Sequence, residues 1–267
     1  MKGVERMEIY QVDAFTNQPY KGNPAAVCIL NESKEDKWMY NVAEEMSLPE
    51  TAFIHKKEGK YNLRWFTPTH EVDLCGHATL ASAKVLWETE NAKREENIDF
   101  HTKSGVLTAR SKGDWIELDF PIEAEKEVDP PEKLIKALDV KPKYVGKNRM
   151  DYLIEVDNKE IIQKIKPDFR MLKEVDARGI IVTSKANSNR YDFVSRFFAP
   201  SIGIDEDPVT GSAHCCLAPY WKKRLNKNQF TAYQASNRGG TIKIKLGKER
   251  VYLSGQAVII MEGNLLK

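Results

Sequence analysis

The sequence predicts an α+β protein of two similar lobes, and three observations carry that reading. Strand-like and helix-like segments are interleaved along the 267 residues. The stretch Arg64-Trp65-Phe66-Thr67-Pro68, leading to Gly76-His77-Ala78-Thr79-Leu80-Ala81, returns as Arg196-Phe197-Phe198-Ala199-Pro200, leading to Gly211-Ser212-Ala213-His214-Cys215-Cys216-Leu217-Ala218. Between the copies, Glu123 to Pro131 is charged and proline-punctuated, which makes it the best linker candidate. These features divide the chain into an N-terminal lobe, 1–121, and a C-terminal lobe, 122–255, with a site expected in the cleft between them.

In the first half, Met7 to Phe15 alternates apolar and polar residues and meets the turn formers Asn17-Gln18-Pro19 and Lys21-Gly22-Asn23-Pro24, as a strand does. Ala25 to Leu30 is the next strand. Glu35 to Met46 has helical spacing, with Trp38, Val42 and Met46 on one stripe, Glu45 in the last turn and Pro49 just beyond. Thr51–His55, Tyr61–Thr67 and Ile98–Ala109 are rich in β-branched and aromatic residues and are expected as strands, whereas His77–Thr89 is spaced as a helix. Trp115 to Phe120 alternates and stops at Pro121.

In the second half the expected strands are Tyr152–Val156, Gly179–Thr183, Asp192–Phe198, Thr241–Leu246 and Val251–Met261. Helices are expected at Lys159–Ile165 and Ser212–Lys223.

Composition narrows the class. Hydrophobic residues make up 41% and charged residues 30%, the balance of a globular protein with a solvated surface. The net charge of +2 is spread among acids and bases, so no nucleic-acid footprint is expected. The densest basic cluster, Lys222-Lys223-Arg224, reads as a solvated helix end. Cys28, Cys75, Cys215 and Cys216 form neither a CxxC pair nor a disulfide frame, which fits a reducing cytoplasm. The start, Met1 to Glu8, is charged without an apolar signal core, and no apolar run reaches membrane-spanning length, so neither secretion nor membrane insertion is expected.

The duplicated turn carries the chemistry. In each copy an aromatic strand ends at proline, a polar loop follows, and glycine with a small or polar residue opens a helix. The first amides of a helix lack internal partners and lie at the positive end of its dipole, so such a start favours an anion. Two of them would hold a small carboxylate and leave neighbouring side chains free for proton transfer. Tight packing of small residues at a helix start explains the glycines equally well, and the parallel placement favours the functional reading.

A wider set of motifs then points to a family. Gln11-Val12-Asp13-Ala14-Phe15 with Gly22-Asn23-Pro24-Ala25-Ala26-Val27, Glu45-Met46-Ser47-Leu48-Pro49-Glu50-Thr51-Ala52-Phe53, Phe66-Thr67-Pro68 with Cys75-Gly76-His77-Ala78-Thr79, and Asp207-Pro208-Val209-Thr210-Gly211-Ser212-Ala213 resemble the phenazine-biosynthesis, PhzF-like isomerases. Leu118-Asp119-Phe120-Pro121 and Leu253-Ser254-Gly255-Gln256-Ala257 fit as well. The resemblance implies the diaminopimelate-epimerase-like fold, in which each lobe wraps a mixed sheet around a central helix and the last strand, 256–267, returns to the first lobe. It also implies a homodimer, no cofactor, no metal and a small carboxylate-bearing metabolite as substrate. By the same resemblance Glu45 is the general base and acid, His77 and Asp207 contact the substrate or relay protons, and Gly76, Gly211 and Ser212 bind the carboxylate with Cys75 beside them.

Read locally, Glu45 is one of two adjacent surface glutamates, His77 a cap or a buried side chain, and Asp207 a turn residue. Asp207, Ser212 and His214 invite a hydrolase triad, but no Gly-x-Ser-x-Gly elbow is present. Cys75 stands where related racemases carry a thiol, and the second turn has no cysteine, which disfavours a two-thiol racemase. Cys215 and Cys216 read as core residues. His70, Cys75 and His77 form only a loose metal-type cluster. An epimerase or dehydratase using Cys75, and a metabolite-binding protein without turnover, are the alternatives.

Overall fold

A computed structural model describes residues 7–266. Residues 1–6 of the charged start lie outside the described residues. In chain order the elements are β1 (Met7–Ala14), β2 (Asn23–Leu30), α1 (Asp36–Met46), β3 (Glu50–Lys57), β4 (Lys60–Phe66), β5 (Glu71–Val72), α2 (Gly76–Glu88), β6 (Ile98–Thr102), β7 (Gly105–Lys112) and β8 (Trp115–Pro121). There follow β9 (Lys126–Glu127), α3 (Glu132–Leu138), β10 (Tyr144–Lys147), β11 (Asp151–Glu155), α4 (Lys159–Lys164), α5 (Phe169–Leu172), β12 (Gly179–Lys185) and β13 (Phe193–Phe198). A 3-10 turn (Pro200–Ile202), α6 (Gly211–Leu225), β14 (Gln229–Gln234), β15 (Gly240–Leu246), β16 (Arg250–Gly255) and β17 (Ala257–Leu265) close the chain.

Two compact units result: Met1–Asp119 with Ser254–Lys267, and Phe120–Leu253. In the first unit β1 runs antiparallel to both β17 and β2. β2 is parallel to β3, β3 antiparallel to β4, β4 parallel to β6, and β6 antiparallel to β7. The second unit repeats this series: β10 antiparallel to β11, β11 parallel to β12, β12 antiparallel to β13, β13 parallel to β14, and β14 antiparallel to β15. A helix connects the second parallel pair in both cases, α2 between β4 and β6 and α6 between β13 and β14, as a parallel connection requires. The duplication read from one motif therefore extends through the strand pairing of each unit.

Both connecting helices are apolar on nearly every side, the pattern of a helix enclosed by its sheet. In α2 only Gly76, Lys84 and Glu88 are not buried, and alanines at 78, 81 and 83 keep its girth small. In α6 the buried set runs from Ala213 through Trp221, broken only at Pro219. Trp221 stacks on Phe193 with ring centroids 5.5 Å apart, and its indole N–H donates to Thr183 Oγ1 at 3.1 Å. Satisfying that donor makes burial of so large a ring favourable.

Several sequence expectations change in detail. Ile98–Ala109 is a hairpin and not one strand. Gly105, at φ +99°, turns the chain, and Thr102 Oγ1 donates to the Gly105 carbonyl at 2.7 Å. Val251–Met261 breaks at Gln256, whose carbonyl accepts from the Thr16 amide at 3.1 Å. The linker candidate Glu123–Pro131 is built into the second unit: β9 pairs with β10, and Glu125 is buried. Pro219 explains part of this. Having no N–H, it leaves the Cys215 carbonyl of α6 unpaired within the helix, and the Glu123 amide donates to that carbonyl at 3.3 Å. The elements α3, α5, β10 and β14 had no strong sequence signal. The basic cluster Lys222-Lys223-Arg224 is exposed in the last turn of α6.

Gly255 tests how closely the returning segment packs in the first unit. A Cβ placed there would lie 2.4 Å from Phe15 Cδ1 and 2.7 Å from Leu80 Cδ1. Gly255→Ala is expected to lower the unfolding free energy by about 1–3 kcal/mol, measured by urea denaturation.

Candidate active site

Strand β3 opens at Glu50, α2 opens at Gly76, and the two starts converge on one imidazole. His77 is buried in the first turn of α2. Its Nε2 lies 3.1 Å from Glu50 Oε2, close enough to pair as ions but not aligned for a linear hydrogen bond. On the other side of the ring, Nδ1 lies 3.2 Å from Asn23 Nδ2 and 3.6 Å from Cys75 Sγ. Cys75 is the N-cap of α2, extended at φ −142°, and its side chain does not cap the helix.

Burial governs the ionisation of this cluster. Burial, reinforced by Glu50, lifts the Cys75 thiol above the ordinary range against the opposing pull of His77. For His77 burial opposes the charged form, yet Cys75 and Glu50 outweigh it and raise the imidazole well above its usual value. Glu50, His77 and Cys75 form a compact cluster of an acid, an imidazole and a thiol, which suits proton transfer.

The donor atoms of Glu50, Cys75 and His77 lie within 4.8 Å of one another, so they also form a metal-type cluster. His70, grouped with Cys75 and His77 in the sequence reading, is instead engaged in its own loop. Its Nδ1 lies 3.1 Å from Thr67 Oγ1 and 3.0 Å from Thr69 Oγ1.

Glu45 is not part of this cluster. It is exposed in the last turn of α1, whose buried face is Met39, Val42 and Ala43. The carboxylate brought to His77 is Glu50, five residues further on. Glu45 keeps the role that the family resemblance implies for it as an expectation, and Glu50 is a second carboxylate, packed on His77, that the sequence pattern did not single out.

Asp207, Gly211 and Ser212 belong to the second unit. Asp207 is half-buried before α6, and its Oδ2 accepts from Thr210 Oγ1 at 2.5 Å. The fully buried Gln234 ties this turn together, donating from Nε2 to the Asp207 carbonyl at 2.7 Å and accepting at Oε1 from the Thr210 amide at 2.9 Å. Gly211 is the first residue of α6 and Ser212 the second. Ser212 Oγ accepts from Arg178 Nη2 at 3.0 Å, which directs the hydroxyl proton elsewhere. The same guanidinium is held by the buried carboxylate of Asp151, with Nε to Oδ1 at 2.9 Å.

Strand registers align the two units residue by residue. Thr51 pairs with Phe66, and Ile180 pairs with Phe198, so Gly179 stands where the first unit has Glu50. Thr210 is the N-cap of α6 as Cys75 is of α2, and Ser212 matches His77. Asp207 therefore lies in the loop before the thiol-equivalent position, and Thr210 occupies that position. The triad Asp207, Ser212 and His214 is not formed: Ser212 turns to Arg178, Asp207 to Thr210, and His214 Nδ1 to the Thr210 carbonyl at 2.7 Å.

With these geometries in place, comparison with known proteins is informative. The model of the family described as phenazine biosynthesis-like protein matches residues 12–263. An uncharacterised isomerase of Halalkalibacterium halodurans is 59% identical over 259 residues, covering 97% of this chain and 98% of its own. A PhzF-family crystal structure from Enterococcus faecalis superposes with a TM-score of 0.94 at 42% identity, covering 98% of this chain and 99% of its own. A hydroxyproline epimerase from Agrobacterium vitis shares the fold alone, with a TM-score of 0.66 at 11% identity over 99% of this chain and 94% of its own. The fold is the diaminopimelate-epimerase-like one expected from the motifs. No helix among the described residues is long and apolar enough to cross a membrane.

His214 offers a test by titration. Burial lowers its pKa to about 4, so the folded state holds it neutral. Between its unfolded value near 6.5 and that folded value the unfolded chain binds more protons, so its contribution to stability is full above about pH 6.5 and is lost as pH falls toward 4. His214→Gln is expected to flatten the stability profile in that window, measured by urea denaturation at successive pH values.

Proposed function

The chain belongs to the phenazine biosynthesis-like family and to its isomerases, and we propose that it moves a proton within a small carboxylate-bearing metabolite without a cofactor. The observation that carries this reading is the enclosed contact of Glu50 with His77, 3.1 Å apart beside the Cys75 thiol. In the forward step the Glu50 carboxylate removes a proton from a carbon next to the activating group, and the electron pair passes into the conjugated acid. The neighbouring imidazolium stabilises the negative charge that develops. Glu50, now protonated, returns the proton to a second carbon of the same molecule, which restores the carboxylate and balances the reaction.

Other residues follow from this assignment. Cys75 stays a thiol through the cycle and supports His77 from the opposite nitrogen. Gly76, Gly211 and Ser212 present first-turn amides and a hydroxyl that suit the substrate carboxylate. Asp207 orients this binding through Thr210. The homodimer that the family resemblance implies and the cytoplasmic setting expected from the cysteine usage belong to the same proposal, the first open to sedimentation analysis.

A second reading has one observation in its favour. Cys75 and Glu50 both lie against His77, so an epimerase could use the carboxylate and the thiol as its two proton carriers.

Candidate unsaturated carboxylic acids incubated with the protein in heavy water should gain deuterium at the migrating position. Glu50→Gln is expected to lower the exchange rate by about 10³-fold or more, and Glu45→Gln is measured beside it, because loss of exchange in that variant alone would return the base to Glu45, as the family resemblance implies. Full activity of Glu50→Gln would remove the base from this account. Loss of exchange in Cys75→Ser with racemisation of a chiral substrate by the wild type would favour the epimerase.

A further inference from the structure

Two arginines at equivalent places make the same contact. Arg64 on β4 forks onto Glu71, with Nε to Oε1 at 2.7 Å and Nη2 to Oε2 at 2.8 Å. Arg196 on β13 forks onto Glu206, with Nε to Oε1 at 2.7 Å and Nη2 to Oε2 at 2.9 Å. Each guanidinium lies over the phenylalanine two residues on, 5.0 Å from the Phe66 centroid and 4.8 Å from that of Phe198. Only arginine can make this planar fork and stack at once.

The spacing shows what the pairs hold. Glu71 precedes the N-cap Cys75 by four residues, and Glu206 precedes the N-cap Thr210 by four. The stretch from arginine to glutamate is three residues longer in the second unit, where the chain makes the 3-10 turn Pro200–Ile202. Length varies on the strand side of the glutamate and is fixed on the helix side. Each arginine is itself anchored away from the loop. Arg64 Nη1 donates to Asp36 Oδ1 at 2.8 Å, in the first turn of α1. Arg196 Nη1 donates to the carbonyls of Ile162 at 3.0 Å and Ile165 at 2.8 Å, at the end of α4. The Glu71 side chain is only 9% exposed and is also bound by Lys103.

We propose that Arg64–Glu71 and Arg196–Glu206 are positioning pairs, which set where the chain enters α2 and α6 and so place Cys75 and His77 in one unit and Asp207 and Thr210 in the other. The fork measures the last four residues before each helix from a fixed strand. Loss of the fork lets that stretch shift while the sheet keeps its register. The inference rests on the proposed function only in that the held groups are those assigned to the reaction. Its test needs no substrate, so its failure and the failure of the isomerase assignment are separate results.

Arg64→Lys keeps the charge and removes the fork. In the full-length variant the His77 titration is followed by NMR, and alkylation of Cys75 by iodoacetamide is followed by peptide mass mapping, with the buried Cys28, Cys215 and Cys216 as internal references. The expected results are about tenfold faster alkylation of Cys75 and a His77 midpoint lowered by about one pH unit, as the Glu50 contact loosens. Arg196→Lys should leave both unchanged and speed hydrogen exchange of the Thr210 amide by about tenfold. A folded Arg64→Lys protein with wild-type values for Cys75 and His77 overturns the proposal, whatever its melting temperature. If that variant does not fold, Glu71→Gln is measured in the same way. Failure of both to fold also overturns it, because the pair would then serve the fold and not the helix entry.

Discussion

A helix enclosed by its own sheet can carry polar chemistry only at its ends, and this constraint organises both units. Along α2 the interior hydroxyls are satisfied within the helix: Thr79 Oγ1 donates to the Cys75 carbonyl at 2.5 Å and Ser82 Oγ to the Ala78 carbonyl at 2.7 Å. Nothing in the middle of the helix is left to meet a ligand. The first turn differs, because its amides have no partners within the helix and neither N-cap side chain closes on them. Side chains at the first two helical positions, and the strand residues that reach them, are therefore where function can reside. Packing selects the place, and the residues found there select the chemistry.

On that shared frame the units have diverged in charge type. The first places a carboxylate, an imidazole and a thiol at Glu50, His77 and Cys75. The second has glycine, serine and threonine at the matching positions 179, 212 and 210, with the Arg178 guanidinium donating to the serine. Gly179 could not carry a side chain in its present setting, since a Cβ would stand 2.2 Å from Phe197 Cζ. One unit thus keeps groups that exchange protons, and the other keeps groups that donate hydrogen bonds without changing ionisation.

The sequence made the frame legible and left the long-range contacts of its acids illegible, for physical reasons. Alternation and apolar spacing locate β1, β2, α1, α2, β11, β12, β13 and α6, because burial of one face is written in residue order. The hairpin at Gly105 and the break at Gln256 depend on single residues, which a run of strand formers conceals. The segment 123–131 looked like a linker through its prolines and charges, and its place in the sheet comes from a carbonyl freed by Pro219, about 90 residues away. Glu45 and Glu50 are both acidic residues flanking one turn, and local pattern does not rank them. What local pattern leaves out is the β2–β3 pairing that carries Glu50 to the start of α2, a contact between residues 27 positions apart in sequence.

The buried cluster explains why a thiol beside the imidazole need not imply a two-thiol mechanism. A thiolate nucleophile or base requires a lowered thiol pKa, and burial moves Cys75 the other way. A transfer that begins and ends on one carboxylate needs no thiolate. An inversion needs the thiol to give up its proton and recover it from the opposite face, and Thr210, where a second thiol would stand, donates instead to Asp207. A raised thiol pKa at Cys75 and a threonine at position 210 thus weigh against an inversion between two thiols.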